Sequence, residues 1–469
     1  METTTDPRLK GKLLLYLLVS AISFTLLVLP ERAGVSVPIF MLIQAGFLAF
    51  LLPEKRALVV LIPILILALN PFLSANSMWQ VPNLFVAALL YSLMALWLTD
   101  RLSLARPLTS FLKRICGHVI EVFSRFHLPV RWITIVPQEH RPTVKRVILG
   151  ISLAIPVLII LSFVLAMADE IFLRTITRLL DTIFPLNVDR IRRAFLGLCV
   201  GFYLFGVLYS VFTPKRKEFE AVEKPTLTGD VMIFNIVLTA ALLVYTLFVV
   251  IQFRYLFAPP NQLPYGLNFV TYARRGFFEL LALTGANILA ILLTVHLTKS
   301  QTGTGAKFTK ILCLYLCAVT VVLLISSFYR MWLYGSDDGL TRLRLLVFGF
   351  LFFEAIGLLF TFVYILKPNF NIVAVYCLIA LSYYLLLNLV PIDRIIARDQ
   401  VNRYFETGRG GITYTLTLSP DAAPEIARLF QSENPETRER AQAYLNAIEP
   451  SADWRQWNLS RDRALHLRR

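Results

Sequence analysis

The chain has 469 residues, of which 57% are hydrophobic and only 16% are charged, and its mean hydropathy is +0.66. Soluble domains carry about 25% charged residues, so this composition excludes an ordinary soluble protein and predicts an integral membrane protein. The formal net charge of +16 does not indicate nucleic-acid binding, because the basic residues concentrate in loops between apolar segments.

Apolar segments between charged residues define the predicted membrane topology. A transmembrane helix needs about 20 predominantly apolar residues, and eleven segments of the chain are long and apolar enough. We therefore expect an all-α fold, a polytopic transmembrane helix bundle with a small helical tail outside the membrane. The predicted spans are residues 13–29, 35–52, 57–73, 81–98, 147–168, 194–212, 231–251, 276–297, 311–328, 345–366 and 372–390.

These spans divide the chain into four predicted segments. Residues 1–100 are an N-terminal four-helix membrane segment, and residues 101–146 are a basic cytoplasmic loop with an amphipathic interfacial helix. Residues 147–390 are a seven-helix membrane segment, and residues 391–469 are an extramembrane tail.

The tail is small and nearly neutral in charge. Two capping signals, Ser419-Pro420-Asp421 and Asn434-Pro435-Glu436, predict the starts of two short helices within it. Because so short a segment can bury little apolar surface, we expect the tail to dock on the membrane domain or on a partner.

Basic residues determine the predicted orientation, because loops rich in Lys and Arg stay on the cytoplasmic side. The side that holds the N-terminus collects 22 basic residues, and the loops on the opposite side collect 12. The tail adds 12 to that opposite side, but long tails contribute little to this rule. We expect a multi-pass protein with a cytoplasmic N-terminus and an extracytoplasmic C-terminus.

The basic loop between residues 101 and 146 contains nine basic residues and a stripe of apolar residues at helical spacing. The stripe is formed by Leu108, Phe111, Leu112, Ile115, Val119, Phe123 and Phe126. This pattern predicts an amphipathic helix held at the cytoplasmic leaflet by anionic lipid, at about 1 kcal/mol for each nearby basic side chain. A docking surface for a cytoplasmic partner is the alternative.

Several polar runs occur in a fixed order along the chain. They are ADEIF at 168–172, YARRGFFEL at 272–280, YRMWLYG at 329–335, LTR at 340–342, DRIIARDQVNRY at 393–404, LSPDAAP at 418–424 and DWRQWNLSR at 453–461. These runs resemble the motifs of a bacterial polytopic membrane family, domain of unknown function 4173. The resemblance implies a bacterial inner-membrane location and several spans, but no activity. Asp399 departs from it, since the family has an aromatic residue at that point.

Ionisable residues inside the predicted spans are candidates for function, because a charge at the bilayer centre costs about 2.5–3.5 kcal/mol. Glu354 lies about 15 Å from the start of its span, close to the midplane. It is expected either protonated and hydrogen-bonded or paired with a cation such as Arg330. A structural role and a proton or ion relay both remain open. The intramembrane candidates are Glu354, Glu279, His296 and Arg330.

A second group of candidates is predicted to emerge on the extracytoplasmic side. Asp169 and Glu170 begin an amphipathic segment, where acids either cap the helix dipole or contact a cation or substrate. Because the topology brings distant segments to one side, we expect them to converge into a polar surface covered by the tail. The outer candidates are Asp169, Glu170, Arg274, Asp337, Asp338, Thr341, Arg342, Arg398 and Arg403.

Three classes of function remain open. The first is a non-enzymatic envelope component that organises or regulates membrane partners, and the second is a proton- or ion-coupled transporter that uses Glu354. The third is a membrane enzyme that acts on a lipid-linked substrate at the outer interface. The sequence contains no recognisable catalytic motif, cofactor signature or metal-ligand set, so we rank the first class ahead. The expected partners are membrane lipids and an envelope protein, and no nucleic acid.

Overall fold

The structure is a computed structural model, and it describes two units that are defined by their internal contacts. Unit 1 comprises Met1–Arg216 and Glu449–Arg463, and unit 2 comprises Lys217–Ile448 and Ala464–Arg469. The residues described are 6–29, 33–52, 54, 58–99, 108–133, 146–147, 150, 154, 157–158, 161, 165, 188–212, 230–256, 269–298, 302–368 and 370–468.

Every regular element within these residues is helical. The α-helices of unit 1 are α1 Pro7–Leu27, α2 Ser36–Leu51, α3 Leu58–Leu73, α4 Gln80–Leu98, α5 Leu108–Ser124, α6 His127–Ile133 and α7 Val188–Phe212. The membrane helices of unit 2 are α8 Val231–Leu256, α9 Phe269–Thr298, α10 Thr304–Asp338, α11 Arg342–Leu366 and α12 Ile372–Leu389. The tail contains α13 Ile392–Thr407, α14 Ile412–Thr415, α15 Ala423–Ile426, α16 Pro435–Asn446 and α17 Leu459–Leu465.

The predicted fold class, an all-α polytopic membrane bundle, is confirmed. Eight helices in the described part of the chain are long and apolar enough to cross a bilayer. Two of the other predicted spans correspond to α2 and α3, which have 16 residues each and so measure about 24 Å. The predicted span at 147–168 falls almost wholly outside the described residues, so the total of eleven spans stays a prediction.

Close packing of α1 against α7 organises unit 1. A Cβ atom on Gly197 would lie 1.8 Å from Thr25 Oγ1, and one on Gly201 would lie 2.8 Å from Ala21 Cβ. The two glycines, four residues apart on one face of α7, therefore let the two helices approach closely. Because the start of α7 lies beside the end of α1, the two helices run antiparallel.

The basic loop helices lie at the N-terminal end of unit 1. The Lys10 ammonium is 5.6 Å from the centre of the Trp132 ring, and Trp132 packs against Tyr209 near the end of α7. Two residues of the predicted apolar stripe contact α7: Phe126 is buried against Phe202, and the Phe123 ring lies beside Tyr203. Ile120, which is not part of the stripe, is exposed.

Ile133, at the end of α6, and Val188, at the start of α7, are therefore at opposite ends of unit 1. The predicted span at 147–168 requires these two residues to lie at opposite ends.

The other end of unit 1 receives part of the tail. The backbone N–H of Val35 donates to the carbonyl of Trp457 at 2.9 Å. The side-chain amide of Asn458 donates to the carbonyls of Pro71 and Ser74, each at 2.8 Å. We call residues 453–458 the tail strap. It contacts the ends of α1 and α3, opposite the N-terminus.

Unit 2 packs α8 to α11 around an apolar core that includes Leu280, Ile291, Leu316, Leu323 and Leu351. The α11 helix begins after Thr341, whose hydroxyl accepts a hydrogen bond from the Arg344 N–H as an N-cap. The end of α10, the start of α11 and the end of α12 meet at one end of the unit, where the tail begins.

The tail also has a small apolar core, formed by the buried residues Ala423, Leu445, Ile448 and Ala464. The predicted helix start at Asn434 is confirmed, because its side chain accepts a hydrogen bond from the Glu436 N–H and Pro435 occupies the first turn. The predicted start at Ser419 opens a short 3₁₀ helix that leads into α15.

Replacing Gly201 with valine should separate α1 from α7. The branched side chain has no space beside Ala21, so we expect unit 1 to lose about 1–3 kcal/mol of stability, as overpacked cores do. Thermal unfolding of the purified protein in detergent measures the loss. Gly46→Val is the control, because Gly46 lies in a helix with no atom near its Cβ position. Equal unfolding temperatures for the two variants would contradict the packing.

Candidate functional site

An ion pair joins the start of α11 to the first tail helix, α13. Arg342 Nε donates to Asp393 Oδ1 and Arg342 Nη2 donates to Asp393 Oδ2, both at 2.7 Å. The Asp393 carboxylate is fully buried, and it also accepts the backbone N–H of Ser419 at 3.0 Å. Two parallel bonds between a guanidinium and a carboxylate fix both groups in distance and angle.

The charge of Asp393 depends on these donors. Burial alone would raise the pKa of the carboxyl group, but the hydrogen bonds from Arg342 and Ser419 outweigh burial and hold its pKa below the ordinary 3.8. A carboxyl group with a lowered pKa stabilises the fold above its unfolded-state pKa and loses this contribution as the pH falls below it. The pair is therefore fully ionised at neutral pH.

The turn between α10 and α11 is held by α13 through its backbone. The Leu340 N–H donates to Asp399 Oδ2 at 2.8 Å, and Gln400 Nε2 donates to the Leu340 carbonyl at 2.9 Å. Gly339 has a φ of +77°, and a Cβ atom there would lie 2.6 Å from Gln400 Nε2. Glycine satisfies both the positive φ and the close approach. We call residues 339–342 together with Asp393, Asp399 and Gln400 the tail lock.

The tail lock brings together some of the predicted outer candidates. Thr341 caps α11 and Arg342 binds Asp393, while Arg403 Nε donates to Asp399 Oδ2 at 3.2 Å. Asp399, which departs from the resemblance pattern, thus holds the turn. Arg398 lies on the opposite, exposed face of α13.

The other outer candidates are only partly described. Arg274 in α9 and Asp337 and Asp338 in α10 lie at the tail end of unit 2 by backbone position, and their side chains are outside the described part. Asp169 and Glu170 lie outside the described residues altogether, so the enzyme hypothesis that depends on these acids stays a prediction.

Glu354 lies inside unit 2, midway along α11. Its carboxyl group is buried, and its Oε1 atom is 2.7 Å from the hydroxyl of Thr284 in α9. The other oxygen, Oε2, has no hydrogen-bond partner among the described residues. The contact is therefore with a neutral hydroxyl group, and no ion pair with Arg330 forms in this structure.

The hydroxyl group of Thr284 has a single hydrogen to donate, and this restricts the protonation state of Glu354. Thr284 Oγ1 is also 2.9 Å from the carbonyl of Leu281, which can only accept. If the hydroxyl donates to Leu281, Glu354 must donate to Thr284 and is protonated. If it donates to Glu354 instead, the carboxylate is buried with one hydrogen bond, which is the more expensive state. The geometry favours a neutral carboxyl group.

Further hydrogen-bonded polar groups lie in the same bundle. Asn287, one turn from Thr284, accepts from the Tyr245 hydroxyl and donates to Thr320 Oγ1 at 3.1 Å. On the α12 side, the hydroxyls of Tyr376 and Thr361 are 2.7 Å apart. Polar pairs of this kind join transmembrane helices.

The remaining intramembrane candidates do not meet Glu354 in one site. Arg330 is buried in α10, His296 is partly exposed in the last turn of α9, and Glu279 is exposed near the start of that helix's apolar part. Three residues of these sites, Thr284, Asp393 and Gln400, were not among the predicted candidates. Asp393 and Gln400 stand in one of the quoted polar runs, whereas Thr284 has no distinguishing signal in the sequence.

The helices and the tail lock define a polytopic membrane protein whose C-terminal tail docks on the helix bundle. Residues 61–429 match the family described as Domain of unknown function (DUF4153), and the chain belongs to that family. This match corrects the resemblance to domain of unknown function 4173; six of the seven runs that carried it lie in the matched region, and the run at 453–461 lies outside it. No curated protein and no solved structure matches the chain.

Replacing Asp393 with asparagine should weaken the tail lock. The variant leaves Arg342 without its bidentate partner, and we expect a loss of about 3 kcal/mol, near the low end for a buried pair, because Arg342 is one-third exposed. Thermal unfolding in detergent measures the loss. Glu436→Gln is the matched control, since it breaks an exposed pair with Arg440 that is worth about 0.5 kcal/mol or less. A loss no larger than the control's would contradict the lock.

Replacing Gly339 with alanine should strain the same turn. The variant must hold a positive φ and also displace the Gln400 side chain, so we expect a larger loss of stability than backbone strain alone gives. Gly303→Ala is the control, because Gly303 has a φ of +101° but no neighbouring atom near its Cβ position. The difference between the two unfolding temperatures reports the contact with Gln400. No difference would show that this contact is not tight.

Proposed function

We propose that the protein is a non-enzymatic component of the cell envelope whose C-terminal tail organises or regulates membrane partners. The observation that carries this proposal is the tail lock, in which a buried Asp393 binds Arg342 from 51 residues away in sequence. A tail that only tethers the chain does not need a bidentate ion pair and two further hydrogen bonds to the bundle. A surface that is already fixed, however, loses less conformational entropy on binding a partner than a mobile surface does.

The exposed face of α13 is the part of the tail best suited to a partner. Arg394, Arg398 and Phe405 are exposed along one side of this helix, and the buried side holds Asp393 and Gln400 in the lock. Arginine and aromatic residues are enriched in protein interfaces, where they supply much of the binding energy. The proposed partner surface and the lock are thus two sides of one helix.

The proposed location is the bacterial inner membrane, with the N-terminus in the cytoplasm and the tail outside. The excess of basic residues on the N-terminal side supports this orientation. The tail strap supports it too, because it contacts unit 1 at the end opposite the N-terminus. Anionic lipid at the basic loop belongs to the same proposal, with Lys113 and Ile120 on exposed parts of α5.

A photocrosslinking amino acid at position 398 tests the proposed partner surface. In native membranes we expect one discrete adduct, and we expect Asp393→Asn to weaken it because the surface is no longer held in place. Glu436→Gln should leave the adduct unchanged. Immunoblots and mass spectrometry of the adduct measure these outcomes. Absence of any adduct, or equal adducts in all three proteins, would overturn the proposal.

The bonding of Glu354 favours a second candidate function, proton-coupled transport. A carboxyl group that changes between donating to Thr284 and accepting from it can release and bind a proton within the membrane. Intramembrane ionisable residues of transporters commonly act in this way. The hydrogen-bonded residues Asn287, Thr320 and Tyr245 in the same bundle would help to stabilise a polar path.

Replacing Glu354 with glutamine separates this candidate from a structural role. Glutamine keeps the size of the side chain and the hydrogen bond to Thr284, but it cannot ionise. We therefore expect proton flux to fall to background in a normally folded protein. A pH-sensitive dye in proteoliposomes under a pH gradient measures the flux. Glu279→Gln, at an exposed position of α9, is the control. Flux that persists in Glu354→Gln would exclude Glu354 as the relay.

A further inference from the structure

A groove of about 510 Å³ opens between the helix ends of unit 1, on the side that receives the tail strap. Its walls come from the end of α1, the first half of α2, the end of α3, the start of α4 and the start of α7. The volume lies within the range of about 300–1,000 Å³ found for small-molecule sites. The groove is therefore large enough for part of a lipid molecule.

The groove changes from polar to apolar along its length. Arg192 and Arg193 line it from the first turns of α7, and Gln80 lines it from the first residue of α4. Met41 and Ala87 lie five and seven residues inside their helices, about 8–11 Å from the helix ends at 1.5 Å per residue. The polar part thus lies near the helix ends, and the apolar part reaches along the helices toward the middle of the bundle.

The charge of the lining is complementary to an anion. Arg192 and Arg193 both line the groove, and no acidic residue lines it among the residues that the structure describes. Arginine presents its donors in a planar fork that matches the oxygens of a phosphate group. Two arginines beside an apolar channel suit a ligand with a phosphate at one end and an alkyl chain at the other.

The tail strap fixes two walls of this groove. Gly34, beside the lining residue Ala33, lies so close to the strap that a Cβ atom would be 2.5 Å from the carbonyl carbon of Gln456. Asn458 is buried and donates to the carbonyl of Pro71, which also lines the groove. The walls are therefore held in place before a ligand binds.

We propose that this groove binds one anionic glycerophospholipid. The phosphate group contacts Arg192 and Arg193, and an acyl chain lies along the apolar wall formed by α2, α3 and α4. This site is separate from the basic loop, which lies at the N-terminal end of unit 1.

Native mass spectrometry of the full-length protein tests the proposal, with phosphatidylglycerol and zwitterionic phosphatidylcholine as the two probes. After removal of loosely bound lipid, we expect one phosphatidylglycerol to remain bound and no phosphatidylcholine. The double variant Arg192→Gln, Arg193→Gln should bind phosphatidylglycerol at least about tenfold more weakly, a change of about 1.4 kcal/mol. Ala87→Phe, which fills the apolar part, should also weaken binding while both arginines remain.

The control is the double variant Arg409→Gln, Arg440→Gln, which removes two exposed positive charges from the tail outside the proposed partner surface. It should bind phosphatidylglycerol as the unaltered protein does. Equal retention of the two lipids would overturn the proposal, and so would unchanged binding by the groove arginine variant. An equal loss in the control would show that binding reports overall charge rather than this groove. The unfolding temperature of each variant without added lipid shows whether it is folded.

Discussion

A lipid bilayer offers the backbone no water to bind, so each polar group that enters it needs a partner within the protein. The helices satisfy the hydrogen bonds of the backbone, and several polar side chains find partners nearby. Thr320 and Thr361 bond to carbonyls four residues earlier, and Asn287 bonds to neighbouring helices. The bonding of Glu354 is incomplete, since one of its carboxyl oxygens has no hydrogen-bond partner within the described chain. That incomplete bonding is what makes it a candidate for proton transfer.

Outside the membrane-spanning helices, the tail lock depends on a buried ion pair, in which the cost of removing charges from water opposes their attraction. A buried ion pair gives little net stability, because removing two charges from water offsets most of their attraction. Its effect is geometric, since the bidentate bonds of Arg342 fix Asp393 and with it the orientation of α13. The turn at Gly339 and Leu340 is then held by Asp399 and Gln400 through backbone atoms. The tail thereby becomes a fixed surface.

The fold could be predicted from the sequence because apolar length reports membrane helices directly. Ten of the eleven predicted spans coincide with described helices. The site was predicted less well, because it depends on contacts between distant residues. The predicted topology placed Arg342 and Arg403 on the same side of the membrane. The spacing of apolar residues, however, contains no information that Asp393 is the ion-pair partner of Arg342. The bond between Thr284 and Glu354 depends on helix rotation, which the sequence does not give.

Labelling with a membrane-impermeant maleimide tests the account most directly. Ala443→Cys places a thiol on an exposed position of α16 in the tail, and the native Cys116 is exposed on α5 beside the N-terminal end of unit 1. A second protein that also carries Cys116→Ala distinguishes the two thiols. The account predicts that position 443 reacts in intact cells and that Cys116 reacts only after permeabilisation. Reaction of position 443 only in permeabilised cells would place the tail in the cytoplasm and contradict it.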